Sequence, residues 1–298
     1  MAGLSRSDLT DADVPSVWRA LDLPGLADIH VHFLPPGMLA KVWQFFDQAE
    51  QHYGMAWPIA YRQDEQSRIE ALQDLGVQRF PTLAYPHKPG MAAWLNDWCA
   101  DFANDHPQAV RSATFFPEPD APGYVAKALD DGARVFKVHV QVGDFDPSDG
   151  LLDEVWGMLS DAAVPVVVHC GSGPLPGRHT GPGPFGQVLQ AHPRLTAVIA
   201  HAGAPEYAEH LAFVDRYDNV RIDTTMVGTP FMNALAPIPP VVLARYRGLG
   251  PKIVLGTDFP NIPYSYARQI QSLLEWDCGD DWLRQVLWHN GAELLGLS

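Results

Sequence analysis

His30 and His32 stand two residues apart in ADIHVHFLPPG, residues 27–37. In an extended strand, side chains two apart share a face, roughly 6.6 Å from one another along the chain. Two imidazoles so placed can bind one divalent cation, and Asp28, on the same face, could support them. The motif is short, and a chain with 12 histidines supplies it readily by chance. Its meaning rests on what else the fold brings beside it. Five further residues close short apolar runs: Lys137 and His139 in FKVH, His169 in VVVHCG, His201 in IAHAG and Asp258 in GTDFP. Taken singly, Lys137 would pair with a carboxylate and Asp258 would cap a turn. Taken together, imidazoles and a carboxylate suit a borderline cation, above all Zn²⁺. His30, His32, His169 and Asp258 would be its ligands, with one position open for water. A cation so held lowers the pKa of its water toward ~7, and His201 or Asp258 could then accept a proton or orient that water.

The elements that must position these residues are short and β-rich. Eight strands are expected, at 26–33, 77–85, 111–117, 134–140, 165–171, 195–203, 220–225 and 252–260. Runs such as VPVVV suit strands buried on both faces, as in parallel sheets. Helical patterns lie between them, with Gly76 and Gly132 as C-terminal caps and Ser148 or Asp149 as an N-cap. Eight alternating strands and helices predict an α/β fold, a closed (β/α)8 TIM barrel. In such barrels the working residues sit at the C-terminal ends of strands, where all seven chemistry-bearing residues fall. A doubly wound open sheet is the alternative, but no glycine-rich phosphate loop follows any strand.

The whole chain, 1–298, is read as a single domain with two additions. Residues 1–25 form a short helical lead-in. An aromatic-rich insertion at 34–63, after strand 1, is read as a lid or an interface, with Trp57 or Tyr61 reaching the substrate. The Gly/Pro-rich loop after the fifth strand overhangs the mouth and carries Arg178 and His179, which could bind an anionic group. His52, His87, His106, His192 and His210 receive no role. Cys170 has the opposite parity to His169 and faces outward, and no G-x-S-x-G or Cys/His arrangement supports covalent catalysis.

The formal net charge is −15, which argues against nucleic acid or anionic membrane as partners. Three scattered cysteines fit a reducing cytoplasm, and neither a signal peptide nor an ~18-residue apolar span is visible. The expected partner is a small-molecule substrate, with a homodimer as the candidate assembly.

DIHVHFLPP, FKVHVQ, VVVHCG, IAHAG, GTDFP and the closing LWHNGAELLGL resemble the amidohydrolase superfamily, in the branch that includes aminocarboxymuconate-semialdehyde decarboxylase. The resemblance runs from about residue 26 to the end. It implies a metal-dependent (β/α)8 enzyme with His30, His32, His169 and Asp258 as ligands and Asp258 as base. His201 would bind a second metal or position the water. Lys137, if carboxylated, would bridge two metals; unmodified, it could bind a substrate carboxylate or pair with Asp258. His139 joins that second-metal or substrate group.

The decarboxylase-like members follow the sixth-strand histidine with a run of glycines, whereas this chain reads HAGAPEY, and GTDFPNIPY after the eighth strand. A hydrolase is therefore the first reading, with a metal-activated water attacking an amide, lactone or ester. Nonoxidative decarboxylation of a small aromatic or unsaturated acid is the alternative, and an inactive ligand-binding barrel the second.

Overall fold

The computed structural model describes residues 8–297. Its strands are β1 (Leu26–Ala27), β2 (Val77–Pro81), β3 (Ala109–Val110), β4 (Ser112–Thr114), β5 (Val135–His139), β6 (Val166–His169), β7 (Ala197–Ile199), β8 (Val220–Asp223) and β9 (Ile253–Val254). All pair in parallel, in the orders β1-β2-β3 and β4-β5-β6-β7-β8-β9. β3 and β4 are two pieces of one stave, parted at Arg111, so the nine strands form eight staves. The ring closes between first and last: Ile29 N–H donates to the Leu255 carbonyl at 2.9 Å, Asp258 N–H to His30 at 2.9 Å, and a parallel bridge joins Val31 to Phe259. The fold is a (β/α)8 TIM barrel.

Alternation along the staves sorts the interior. Val135, Val167, Val198 and Val254 point inward at the base and pack with Ile29, Leu83 and Leu295. Leu295, from the last helix (Asn290–Leu295), plugs that end. Two residues further along the same parity come Lys137 and His169, so each inward row is apolar below and ionisable above. Phe136, Val138, Val166 and Val168 face outward into the helix layer.

All eight staves are shorter than their patterns predict, and the first and sixth show why. The first leaves the ladder after Ala27 because the Asp28 side chain captures the His30 N–H, replacing a neighbouring strand's carbonyl. The sixth ends at Ile199 and turns into a 3₁₀ segment, Ala200–Gly203, with His201 and Ala202 left-handed. Gly76 caps the helix Glu65–Leu75 at φ +87°, and Gly132 follows the helix Ala121–Asp130 at φ +86°. Asp149 accepts the Leu151 N–H and starts the segment that leads into the helix Asp153–Ala162.

The lead-in is a 3₁₀ turn, Asp11–Asp13, and a helix, Val14–Ala20; its first seven residues lie outside the described chain. The insertion holds two helices, Pro36–Phe46 and Ala49–Tyr53. Among the described residues, no helix is long and apolar enough to cross a membrane.

Candidate metal centre and its pocket

The base of the site is the turn that carries His30 and His32. The Asp28 carboxylate accepts the His30 N–H at 3.0 Å and the hydroxyls of Thr257 at 2.6 Å and Tyr266 at 3.0 Å. Asp28 thus supports the pair through the backbone and the eighth stave, not through the rings. Burial pushes its carboxyl up to about 7 despite those three donors. Gly256 lets the eighth stave approach: a Cβ there would stand 2.3 Å from the Thr225 hydroxyl oxygen and 2.9 Å from the His30 Cβ.

Both rings are fixed from behind. His32 Nδ1 lies 2.6 Å from the Leu83 carbonyl, which can only accept, so Nδ1 carries the proton and Nε2 the lone pair. His30 Nδ1 donates to Asp223 Oδ2 at 2.8 Å, with the Thr225 hydroxyl at 3.0 Å. Asp223 is fully buried, and its other oxygen accepts the N–H groups of His201 at 2.7 Å and Thr225 at 3.1 Å. The two free Nε2 atoms converge on Asp258 Oδ1, at 2.9 Å from His32 and 3.5 Å from His30. Lone pairs that close to a carboxylate oxygen repel unless a positive centre is shared among them. The three ligand atoms lie within 4.8 Å of one another, and rings oriented by a carboxylate and a carbonyl are the usual support of a metal-binding histidine. The donor set fits a divalent cation.

Asp258 sits at φ +72°, and His201 at φ +54°, both in the left-handed region that costs a non-glycine residue about 1–3 kcal/mol. Burial would raise the Asp258 carboxyl, but the imidazoles of His32, His30 and His201 around it hold it well below the usual carboxylate range. Burial first, then Lys137 and neighbouring imidazoles, keep His30, His139 and His169 far below the ordinary imidazole value. His201 is lowered too, again by burial first. These four rings are neutral at pH 7.

The remaining expected residues divide. The fully buried Lys137 places its Nζ 3.0 Å from His30 Nε2, so its partner is a ring and not the expected carboxylate. Burial lowers its amine to about 8, with Asp223 and Asp258 opposing. One lone pair cannot serve both that amine and a cation. His169 reaches the rim but lies outside the close group of three. Its Nε2–H donates to the Gly173 carbonyl at 3.2 Å, leaving Nδ1 free, and its ring stacks on His139 at 3.8 Å. His201 is 5.2 Å from the His30 ring and 4.6 Å from that of His169. His139 Nδ1 accepts the Val142 N–H at 3.3 Å, which puts its own proton on Nε2.

Above this cluster opens a cavity of about 510 Å³, lined by His30, His32, Lys137, His139, His169, His201 and Asp258 and by the insertion. Trp57 lines it, as expected. Tyr61 does not: its hydroxyl is bonded to Asp11 and its ring packs on Phe259, behind the wall. Arg178 and His179 also stay off the lining, because their loop folds away and sets His179 Nδ1 3.8 Å from Asp146. His87, given no role from sequence, lines the mouth. Cys170 faces outward, its sulfur 3.6 Å from His210 Nε2.

Sequence reasoning missed Asp223, Tyr85 and Asn261. An Asp closing the strand VRID and a Tyr closing VQRFPTLAY carry the same end-of-strand signal that singled out His169. Asn261 has no such mark. It accepts the Trp43 indole N–H on its side chain at 3.0 Å and the Trp57 indole N–H on its carbonyl at 2.7 Å. Its own N–H donates to Asp258 at 2.9 Å, tying the insertion to the carboxylate's turn.

Among solved structures, an uncharacterised TIM-barrel protein from Bordetella bronchiseptica is 18% identical with a TM-score of 0.72, over 90% of this chain and 98% of its own. A probable 2-pyrone-4,6-dicarboxylic acid hydrolase from Acinetobacter baumannii, solved with citric acid, is 14% identical with a TM-score of 0.60, over 91% and 99%. A 5-carboxyvanillate decarboxylase from Novosphingobium aromaticivorans, solved with manganese, is 12% identical with a TM-score of 0.61, over 91% and 97%. No curated protein matches. These likenesses establish the barrel. The amidohydrolase family model matches residues 27–297, and the chain belongs to the amidohydrolase family.

Proposed function

We propose that the protein is a metal-dependent hydrolase that cleaves an amide, lactone or ester of a small molecule. The observation that carries this reading is the pair of Nε2 lone pairs, locked by Asp223 and the Leu83 carbonyl, that meet Asp258 Oδ1 beneath a cavity. His30, His32 and Asp258 would hold the cation, with His169 completing the set through its free Nδ1 and Zn²⁺ the preferred ion. A divalent cation there supplies Lewis acidity to a carbonyl oxygen and lowers the pKa of water toward ~7.

The chain's own groups do the rest. Asp258, ionised at neutral pH, takes the proton of the attacking water and passes it to the leaving nitrogen or oxygen. The acyl carbon gains the water oxygen as the bond to the leaving group breaks, so acid and amine or alcohol are released. His201, neutral and beside that path, orients the water. His139 lines the cavity, and its Nε2–H is the donor to the substrate carbonyl. Lys137 must give up the His30 lone pair before a cation takes it; carboxylated, Lys137 with His201 would hold a second ion in a binuclear form of the same site.

The protein is proposed as one catalytic unit, and its three free thiols, two of them buried, suit a reducing cytoplasm. The test is metal analysis with product analysis. His30→Ala with His32→Ala should leave a folded barrel with less than about a tenth of the wild-type metal and no turnover. Full activity in that variant would refute the assignment. Release of CO₂ without incorporation of water would replace hydrolysis by decarboxylation.

A further inference from the structure

The outer half of the cavity is built by one helix of the insertion. Met38, Lys41, Val42, Phe45 and Phe46 line it, at spacings of three, one, three and one, which is a single stripe of an α-helix. The adjoining flank is used for attachment: Leu39 packs in a buried cluster, against which Met38 and Val42 also rest, and Trp43 bonds to Asn261. The cavity stripe presents the rest of its surface to whatever enters. Trp57, Met226, Met232 and Leu235 continue the apolar wall. At the mouth, Phe45 and Val142 are 45% and 41% exposed, two of the six large apolar side chains that the described surface leaves open.

Charge is distributed as unevenly. Among the described residues no arginine lines the cavity, and its only carboxylate is Asp258. Of its two lysines, Lys137 is committed to the inner cluster, whereas Lys41 stands on the outer stripe and takes part in no ion pair or hydrogen bond with the described residues. His87 shares that mouth, under the field of Lys88 and Lys41, and no acid there neutralises them. A positive outer rim on a chain of formal charge −15 is a local feature.

Resting on the hydrolase reading, we infer that the substrate is an acyl compound with an extended apolar body that carries a single carboxylate at the end remote from its reactive carbonyl. The carbonyl sits over Asp258, the body lies along Met38, Val42 and Phe46, and the carboxylate meets Lys41 at the mouth. A volume of about 510 Å³ falls in the ordinary range for a drug-sized ligand rather than a two- or three-carbon acid. A compact polyanion would bring several charges into walls that offer one free cation, at the desolvation cost of each unpaired charge.

Calorimetric titration of the full chain tests this with three probes: hexananilide, the monoanilide of hexanedioic acid and citrate. The monoanilide should bind most tightly, a few-fold above hexananilide, with citrate weakest. Lys41→Glu should shift the monoanilide-to-hexananilide affinity ratio by about ten-fold and reverse the preference, because an exposed pair becomes a repulsion. Val42→Asp should weaken both anilides, and added salt should compress the ratio. Tightest binding by citrate, an unchanged ratio in Lys41→Glu, or failure of both anilides to bind at millimolar concentration would overturn the inference. The two readings fail separately. Lys41-dependent anilide binding with CO₂ release from test acids sinks only the hydrolase, and ester turnover that favours compact polyacids sinks only the substrate class.

Discussion

His30 Nδ1, at the first stave, and Asp223 Oδ2, at the seventh, meet at 2.8 Å in full burial, 193 residues apart in sequence. This contact decides which nitrogen of His30 faces the cavity. Asp223 also binds the His201 N–H, so one carboxylate fixes two rim histidines.

Asp223→Ala should therefore loosen the cation without unfolding the barrel. Loss of an outer acceptor on a metal-binding histidine typically costs 10–100-fold in affinity. Chelator competition should show a dissociation constant raised by that factor, with far-UV circular dichroism unchanged. A variant that binds metal as wild type does would show that His30 holds its orientation without Asp223.

The insertion's attachment predicts a different signature. Trp43→Phe keeps the ring and deletes one indole hydrogen bond to Asn261, a loss of about 0.5–1.5 kcal/mol. KM should rise between two- and ten-fold as the cavity wall loosens, while metal content stays constant. Faster proteolysis within residues 47–57 would accompany it. A fall in metal content with unchanged KM would place the role of Trp43 on Asp258 instead.

The rim histidines also govern the pH response of the metal-free protein. Burial holds His30, His139, His169 and His201 below their unfolded value of 6.5, so the unfolded chain binds more protons as pH falls through that value. Their contribution to stability is present above pH 6.5 and is lost as pH falls below it. Asp28, raised to about 7, acts in the opposite sense: between 3.8 and 7 the folded state holds the extra proton, and stability falls as pH rises. Burial raises Asp223 as well, in the same sense as Asp28, and four imidazoles outweigh two carboxyls, so Tm should drop between pH 7 and 5. Asp28→Asn removes one opposing contribution and should steepen that drop; a flatter profile in the variant would contradict the assignment.

How much of this was legible beforehand follows from what sequence encodes locally. Parity along a strand is local, so Lys137, His139 and His169 could be placed on one inward row from spacing alone. Strand ends and apolar runs likewise carried the barrel. What was not legible depends on long-range choices of partner. Whether His169 turns its Nε2 to Gly173 or to the cluster is settled by the loop after its strand. Whether Tyr61 or Trp57 lines the cavity depends on which side of the insertion packs on Phe259 and Asp11. Asn261 gains its role only because two tryptophans from residues 34–63 come to rest on it.

His139 gives the sharpest separation of chemistry from structure. Its Nδ1 is occupied by the Val142 N–H, its ring stacks on His169, its proton lies on Nε2, and the residue lines the cavity. A donor preorganised toward a developing negative charge is worth about 10²–10³ in kcat. His139→Ala should lose that factor in kcat with little change in KM and none in metal content. His139→Gln offers an amide N–H at a similar reach and should recover at least a tenth of the loss. Were His139 a metal ligand, both variants would lose metal together; were it only a packing partner of His169, both would lower Tm without separating kcat from KM.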